Sequence, residues 1–214
     1  MELKGLKINI LGDSITEGVG TSSLDHRFGE LLASRCGAIV RNYGISGTRI
    51  ARQQKPTVDN PAFDRHYVSR VDGMDADADV IAVFGGTNDF GHGDAPLGTM
   101  GDREDSTFYG ALHALYTALL TKYPAAKIII LTPMHRLSED EPRADGSTLL
   151  TYVNIIRQVA EYYSIPVLDL YAESGITPKV KVLMERYMPD GLHPSDAGNE
   201  KLFELLANFI KYRL

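Results

Sequence analysis

Two short clusters at opposite ends of the chain carry side chains suited to nucleophilic catalysis. The first is Gly-Asp-Ser at residues 12–14, directly after an apolar run, and the second is Asp-Gly-Leu-His at residues 190–193. A serine hydroxyl is a poor nucleophile unless an imidazole takes its proton, and a carboxylate must orient that imidazole. Ser14, His193 and Asp190 are therefore the candidate nucleophile, base and orienting acid.

Each cluster also has an ordinary structural interpretation. Ser14 lies where a helix would begin after a strand, and serine is a common N-cap residue. Asp190 and Gly191 form a pair that is typical of tight turns, which would leave His193 as a surface residue. The spacing of either cluster alone does not decide between these interpretations and catalysis.

Candidate donors for an oxyanion follow two other predicted strands. An acyl-transfer enzyme stabilises developing negative charge with preorganised N–H groups. Gly47 lacks a side chain, so its backbone N–H can closely approach a substrate. Asn88 offers a side-chain amide, although tight turns and local hydrogen bonds also explain both residues. The candidate substrate contacts are Asp13, Arg49, His92 and Arg136.

A second Asp-x-x-His pair raises the alternative of a metal site. Asp89 and His92 share this spacing, and Asp94 is close by. These ligands are too few for a typical zinc site, and no second cluster of His, Asp or Glu has supporting spacing. We therefore expect no bound metal, and we expect His92 in a glycine-rich loop that contacts substrate.

Composition limits the class of protein. At 214 residues, the chain is long enough for one α/β domain, which we assign to residues 1–214. The net charge is −6 and no long basic run occurs, so we expect no nucleic-acid partner. The single cysteine, Cys36, is expected to be a buried structural thiol. No signal-peptide core or membrane-spanning run is evident, so we expect a cytoplasmic protein.

Strand-like and helix-like patterns alternate along the chain. The third and fourth apolar runs lack alternation, which is typical of strands buried on both faces of a parallel sheet. This order predicts an α/β fold, a three-layer α/β/α sandwich with right-handed crossovers. The predicted strands are residues 6–11, 38–43, 79–84, 126–132 and 165–170, and helical spacing recurs at 28–36, 108–119, 149–160 and 202–210.

The predicted sheet should bring the candidate residues to one edge. Ser14, Gly47 and Asn88 each follow a predicted strand, and sites in such sheets form at the carboxyl ends of the strands. Two long polar segments, 52–78 and 89–103, leave the same edge. Long irregular segments at such an edge usually shape a pocket.

Taken together, four sequence blocks resemble the SGNH hydrolases, also called the GDSL esterase/lipase family. The blocks stand in the family's order at residues 12–14, 47, 86–89 and 190–193. The resemblance implies a flavodoxin-like sandwich, a five-stranded parallel sheet of order 2-1-3-4-5, and no cofactor. It also implies an oxyanion hole formed by the Ser14 N–H, the Gly47 N–H and the Asn88 side chain.

The expected function is that of a serine esterase acting on short-chain acyl esters through a Ser-His-Asp triad and an acyl-enzyme. Deacetylation of a carbohydrate or another small polar alcohol falls within this expectation, because Arg49, His92 and Arg136 make the surrounding loops polar. The expected partner is a small-molecule ester, and the sequence does not predict an oligomeric state.

Two alternatives remain open. A lysophospholipase or thioesterase of the same family would need an apolar groove, and residues 180–188 are the only segment apolar enough to help build one. We favour a short helix packed on the core for that segment. The remote alternative is a non-catalytic flavodoxin-like phosphate-binding module at residues 12–18, although Asp13 and Glu17 have the wrong charge for phosphate.

Overall fold

The computed structural model describes residues 1–214 and contains a five-stranded parallel sheet. The strand order is β2-β1-β3-β4-β5, so β1 pairs with both β2 and β3. This confirms the predicted fold class and strand order. The strands are β1 Lys7–Gly12, β2 Ile39–Gly44, β3 Val80–Phe84, β4 Lys127–Leu131 and β5 Val167–Leu168.

Nine α-helices connect or follow the strands. They are α1 Ser14–Glu17, α2 Phe28–Cys36, α3 Tyr67–Arg70, α4 Thr87–His92, α5 Phe108–Lys122, α6 Leu149–Tyr162, α7 Leu170–Glu173, α8 Lys181–Tyr187 and α9 Asp196–Arg213. Three short 3-10 turns occur at Leu24–His26, Pro61–Asp64 and Val71–Gly73.

Helices cover both faces of the sheet because both faces are apolar. Alternate residues of β3 separate into two cores, with Ile81 and Val83 on one face and Ala82 and Phe84 on the other. Helices α5 and α6 pack on the first face, and α2 and α9 pack on the second. The predicted three-layer sandwich is therefore confirmed.

Two elements differ from the sequence expectation. Strand β5 has only two residues, because Pro166 has no N–H to pair and Asp169 already caps α7 through the Ala172 N–H. The segment expected as a loop after β3 is instead helix α4. Gly86, with a φ of 105°, turns the chain from β3 into this helix.

The segment at residues 180–188 forms the short helix that we favoured. Met188 is buried in the core, whereas Val182 is 65% exposed. Cys36, expected to be buried, lies at the last residue of α2 and is only half-buried. No helix in the structure combines the length and apolarity needed to span a bilayer.

Candidate active site

The turn between β1 and α1 holds Ser14 at the carboxyl edge of the sheet. Ser14 is the first residue of α1 and is 7% exposed. Asp13 is the N-cap, since its Oδ1 accepts a hydrogen bond from the Ile15 N–H at 3.0 Å. The capping role therefore belongs to Asp13, and the interpretation of Ser14 as an N-cap is wrong.

Ser14, His193 and Asp190 form a continuous hydrogen-bonded chain. Ser14 Oγ lies 3.0 Å from His193 Nε2, and His193 Nδ1 lies 2.7 Å from Asp190 Oδ2. A carboxylate at Nδ1 places the ring proton there, so Nε2 is free to accept the hydroxyl proton. This arrangement can move a proton from a serine hydroxyl to an imidazole.

Local bonds fix Asp190 against His193. Asp190 Oδ1 accepts hydrogen bonds from the Leu192 N–H at 2.9 Å and the His193 N–H at 2.7 Å. Burial raises the pKa of Asp190, but the His193 N–H, the His193 ring and the Leu192 N–H together lower that pKa below its usual value. Asp190 is therefore an anion at neutral pH and can accept a hydrogen bond from the proton-bearing Nδ1 of His193.

Three candidate oxyanion donors belong to residues of the pocket that contains Ser14. Gly47 has a φ of 72°, and a Cβ there would overlap the ring of Phe63. The backbone N–H groups of Gly47 and Ser14 donate to no other group of the chain. Asn88 Nδ2 donates to Thr48 O at 3.1 Å, which leaves its second hydrogen free. Ser14, Gly47 and Asn88 line one pocket together with His193.

Two charged residues that the sequence motifs did not reveal brace this edge. Arg70 donates to Gly12 O at 3.0 Å and to Tyr43 O at 3.1 Å, so it joins the ends of β1 and β2. Glu17 accepts a hydrogen bond from the Ser46 N–H at 2.6 Å and thereby holds the turn before Gly47. Only their positions in the fold identify these roles, because no spacing rule singles them out.

Two buried carboxyl groups lie behind the pocket. Burial raises the pKa of Asp13 to about 7, despite the Ile15 N–H and the charge of Arg70. Burial likewise raises the pKa of Asp89 to about 6. Asp89 accepts hydrogen bonds from the N–H groups of Ile50 and Ala51, both at 2.9 Å, and so ties α4 to the segment after Gly47.

The four candidate substrate contacts divide into two groups. His92 and Arg136 line the pocket, whereas Asp13 and Arg49 do not. Asp13 is 2% exposed and Arg49 is 3% exposed. Direct substrate contact by Asp13 and Arg49 stays a prediction, since Asp13 Oδ1 accepts the Ile15 N–H and the Arg49 guanidinium donates to protein groups.

Arg49 acts on the pocket through His92. Its guanidinium donates to His92 Nδ1 at 2.9 Å, to Thr57 Oγ1 at 2.9 Å and to Asp64 Oδ1 at 2.8 Å. Burial and the positive charges of Arg49 and Arg136 lower the pKa of His92. His92 is therefore neutral at pH 7, and its Nδ1 is the nitrogen without a proton.

The alternative metal ligands do not converge. Both carboxylate oxygens of Asp89 accept backbone N–H groups, and those of Asp94 accept the N–H groups of Gln54 and Lys55 at 2.7 and 2.9 Å. His92 uses Nδ1 for Arg49. The structure contains no group of three or more His, Cys, Asp and Glu arranged to hold a metal ion.

The pocket itself has a volume of about 310 Å³ and is open to solvent. Three apolar side chains that sequence reasoning missed, Val19, Phe63 and Leu192, form part of its wall. No residue of α8 reaches it. Its size is at the lower end of the range for small-molecule sites.

Comparison of the sequence with known families identifies the class of protein. The chain belongs to the GDSL-like lipase/acylhydrolase family, whose model matches residues 10–201. Membership of this family indicates a hydrolase with an α/β fold, and it confirms the resemblance that the four sequence blocks carry. No curated protein matches the sequence.

Solved structures agree with this assignment along nearly the whole chain. One is 38% identical, with a TM-score of 0.88, and the match covers 99% of this chain and 98% of that one. A protein from Lactobacillus plantarum is 31% identical over 99% of both chains, with a TM-score of 0.85. A possible lipase from Chitinophaga pinensis is 24% identical, with a TM-score of 0.68 over 98% of this chain and 99% of that chain, and shares the fold.

Proposed function

We propose that this protein is a serine esterase that hydrolyses short-chain acyl esters of a small polar alcohol. The observation that carries the proposal is the hydrogen-bonded chain from Ser14 Oγ to His193 Nε2 at 3.0 Å and from His193 Nδ1 to Asp190 Oδ2 at 2.7 Å. Ser14 is the nucleophile, His193 the general base and acid, and Asp190 the residue that orients and stabilises the imidazolium.

The reaction proceeds through an acyl-enzyme. His193 Nε2 takes the hydroxyl proton as Ser14 Oγ attacks the ester carbonyl carbon. The carbonyl oxygen becomes an oxyanion that accepts hydrogen bonds from the Ser14 N–H, the Gly47 N–H and Asn88 Nδ2. Collapse of this intermediate expels the alcohol, which receives the proton from His193. Water then attacks the acyl-enzyme in the same way and releases the acid.

The dimensions of the pocket favour a short acyl group. A long-chain lipase or thioesterase needs a continuous apolar groove, since each buried methylene contributes about 0.8 kcal/mol. Val19, Phe63 and Leu192 are the three apolar side chains of the wall, and α8 does not extend them. The polar groups of His92 and Arg136 complete the wall and suit a polar alcohol.

Replacement of the nucleophile tests the proposal. Ser14→Ala should lower kcat for 4-nitrophenyl acetate by about 10⁴-fold or more and leave the fold intact, because the triad acts as a unit. Ser23→Ala is the matched control, since Ser23 lies in the exposed loop after α1 and its hydroxyl caps no helix. Near-normal turnover by Ser14→Ala would overturn the assignment.

A chain-length series tests the acyl preference separately. We expect kcat/KM on 4-nitrophenyl esters to be highest between two and four carbons. A value that still rises beyond eight carbons would contradict the short-chain proposal and favour the lysophospholipase or thioesterase alternative.

A further inference from the structure

Arg136 is a guanidinium beside the nucleophile that has no carboxylate partner. No carboxylate oxygen lies within 4.0 Å of its side-chain nitrogens, whereas buried Arg49 and half-buried Arg157 each pair with an aspartate. Nε of Arg136 is buried without a hydrogen-bond partner. An unpaired charge in a partly desolvated site costs stability unless a ligand completes it.

The side chain of Arg136 is nevertheless held in one position. Nη1 donates to Thr87 O at 3.1 Å and to Thr87 Oγ1 at 3.2 Å, and the guanidinium lies 5.7 Å from the centre of the Phe90 ring. Gly91 allows this approach, because a Cβ there would lie 2.8 Å from Nη1. Nη2 makes no hydrogen bond within the chain and lies 3.5 Å from the Cβ position of Gly91, which lines the pocket, so its N–H groups can reach a ligand there.

The acidic groups nearest to Arg136 are engaged elsewhere. Glu139 accepts Lys179 Nζ at 2.7 Å and His135 Nδ1 at 2.8 Å, and Asp190 is bound to His193. Asp13 is buried, which raises its pKa to about 7 and removes much of its charge at neutral pH. These carboxylates act on Arg136 only through space, and none of them bonds to its guanidinium, so Arg136 has no ion-pair partner on the pocket side.

His92 supplies a second donor at the same wall. Arg49 can only donate, so its bond to His92 Nδ1 at 2.9 Å requires that nitrogen to accept. In neutral His92 the proton then resides on Nε2, which has no partner within the chain. Because Arg49 is buried against Asp64, the tautomer of His92 is fixed by the fold.

We propose that Arg136 and His92 bind a carboxylate that the ester substrate carries on its alcohol part. This inference rests on the proposed esterase function. Since the acyl group is short, the group that reaches Arg136 belongs to the alcohol. One guanidinium with one open nitrogen and one neutral imidazole N–H supply about a single positive charge, which matches a monoanionic carboxylate.

A matched pair of substrates tests this proposal. The 3- and 4-acetoxybenzoates carry the carboxylate on the alcohol part, and the corresponding acetoxybenzamides are neutral and of similar shape. For at least one isomer, we expect the wild-type protein to prefer the carboxylate at least about tenfold in kcat/KM, the magnitude of a hydrogen bond to a charged group. Arg136→Gln should abolish this preference, and Arg136→Lys should retain part of it.

Arg143→Gln is the control variant, because it removes an arginine that braces helix α4 from outside the pocket. Arg143 donates to the carbonyls of Asp89, Phe90 and Gly93 but does not line the pocket. The Arg143→Gln variant should leave the preference for the carboxylate substrate unchanged. The proposal would be overturned if Arg136→Gln lowered kcat/KM equally for both substrates, or if the wild-type protein showed no preference. Arg136 would then serve only to brace Thr87.

Binding to the Ser14→Ala protein separates this inference from the esterase proposal. Calorimetry should give a Kd for the preferred acetoxybenzoate that rises at least about tenfold when Arg136→Gln is added. This readout needs no turnover, so it retains its meaning if Ser14 proves not to be the nucleophile. An unchanged Kd would contradict carboxylate binding even if esterase activity is found.

Discussion

The turn that carries Ser14 and the turn that carries His193 are held in different ways. Ser14 is 7% exposed, and Thr16 beside it is fully buried. The side chain of Asp190 is 55% exposed and that of His193 is 18% exposed. The nucleophile is therefore built into the edge of the sheet, whereas the base and its acid lie on a surface turn.

The surface turn depends on a contact between distant parts of the chain. Gly20, with a φ of 96°, packs against the turn that carries His193. A Cβ at this position would be 2.8 Å from Pro194 O and 2.9 Å from His193 Cβ. Ser22 donates through its N–H and its hydroxyl to Asp196 at 2.8 and 2.6 Å. Changes at the surface turn should therefore alter activity more than stability, whereas changes behind Ser14 should alter both.

Loss of the general base should have the largest effect on activity. His193→Ala should lower kcat by about 10⁴-fold or more, because the Ser14 hydroxyl then has no proton acceptor. Its melting temperature should stay close to that of the wild type, since the ring is on the surface turn. His92→Ala should be far milder, about tenfold or less, because His92 makes no hydrogen bond to Ser14 and is bonded instead to Arg49. Reversal of this ranking would identify His92 as the base.

Loss of the side-chain oxyanion donor should rank second. Asn88→Ala removes Nδ2 and should lower kcat by about 10²- to 10³-fold with a smaller change in KM, because the donor matters most as charge develops. Steady-state kinetics on 4-nitrophenyl acetate measures both constants. A change confined to KM would make Asn88 a ground-state binding residue instead.

A smaller effect is expected where the two turns meet. Gly20→Ala should displace the His193 turn and lower kcat about tenfold, since a misplacement near 1 Å costs up to about 100-fold. Gly5→Ala is the matched control, because Gly5 also has a positive φ, of 79°, but open space around it. Both variants should lose stability from backbone strain, and Gly20→Ala should lose more because its Cβ also meets Pro194 and His193. Equal activity in both would refute the role of the Gly20 contact.

The smallest effect concerns the buried carboxyl behind Ser14. Asp13 has a pKa of about 7 in the folded protein and about 3.9 when unfolded, so the folded state holds an extra proton between these values. Its contribution to stability is therefore lost as pH rises through this window. Asp13→Asn keeps an acceptor for the Ile15 N–H and removes this loss.

Denaturant unfolding from pH 5 to 8 measures the effect. The free energy of unfolding of Asp13→Asn relative to the wild type should increase by about 1–3 kcal/mol across this range. Asp89, with its pKa of about 6, is present in both proteins and contributes in the same direction in each. Parallel curves would show that Asp13 does not hold the extra proton.

The strands of the sheet could be predicted from sequence because their pattern is local, whereas the prediction of their order rests on the family resemblance. The apolar β3 and β4 appear as continuous runs, and each is followed by the residues that reach the carboxyl edge. Helix α4 could not be predicted, since Gly91 and the polar residues around it are typical of a loop. Its helical form depends on Asp89 and Arg143, whose partners are distant in the chain.

The positions of the polar side chains depend on tertiary packing even more strongly. Arg49 and Arg136 look equivalent in sequence, yet Arg49 is buried against Asp64 and Arg136 faces the pocket without an acid. Arg70 comes from a segment with no motif and still joins β1 to β2. Motifs thus predict which residues could react, while packing decides which of the surrounding charges are free.

Mass spectrometry of the protein after reaction with a fluorophosphonate tests the central claim most directly. An activated serine oxygen attacks the phosphorus atom of the fluorophosphonate and displaces fluoride. We therefore expect one adduct per chain, on the peptide that contains Ser14. His193→Ala should lose this adduct while Ser23→Ala keeps it. An adduct on another serine, or undiminished labelling of Ser14 without His193, would contradict the assignment of Ser14 as a nucleophile activated by His193.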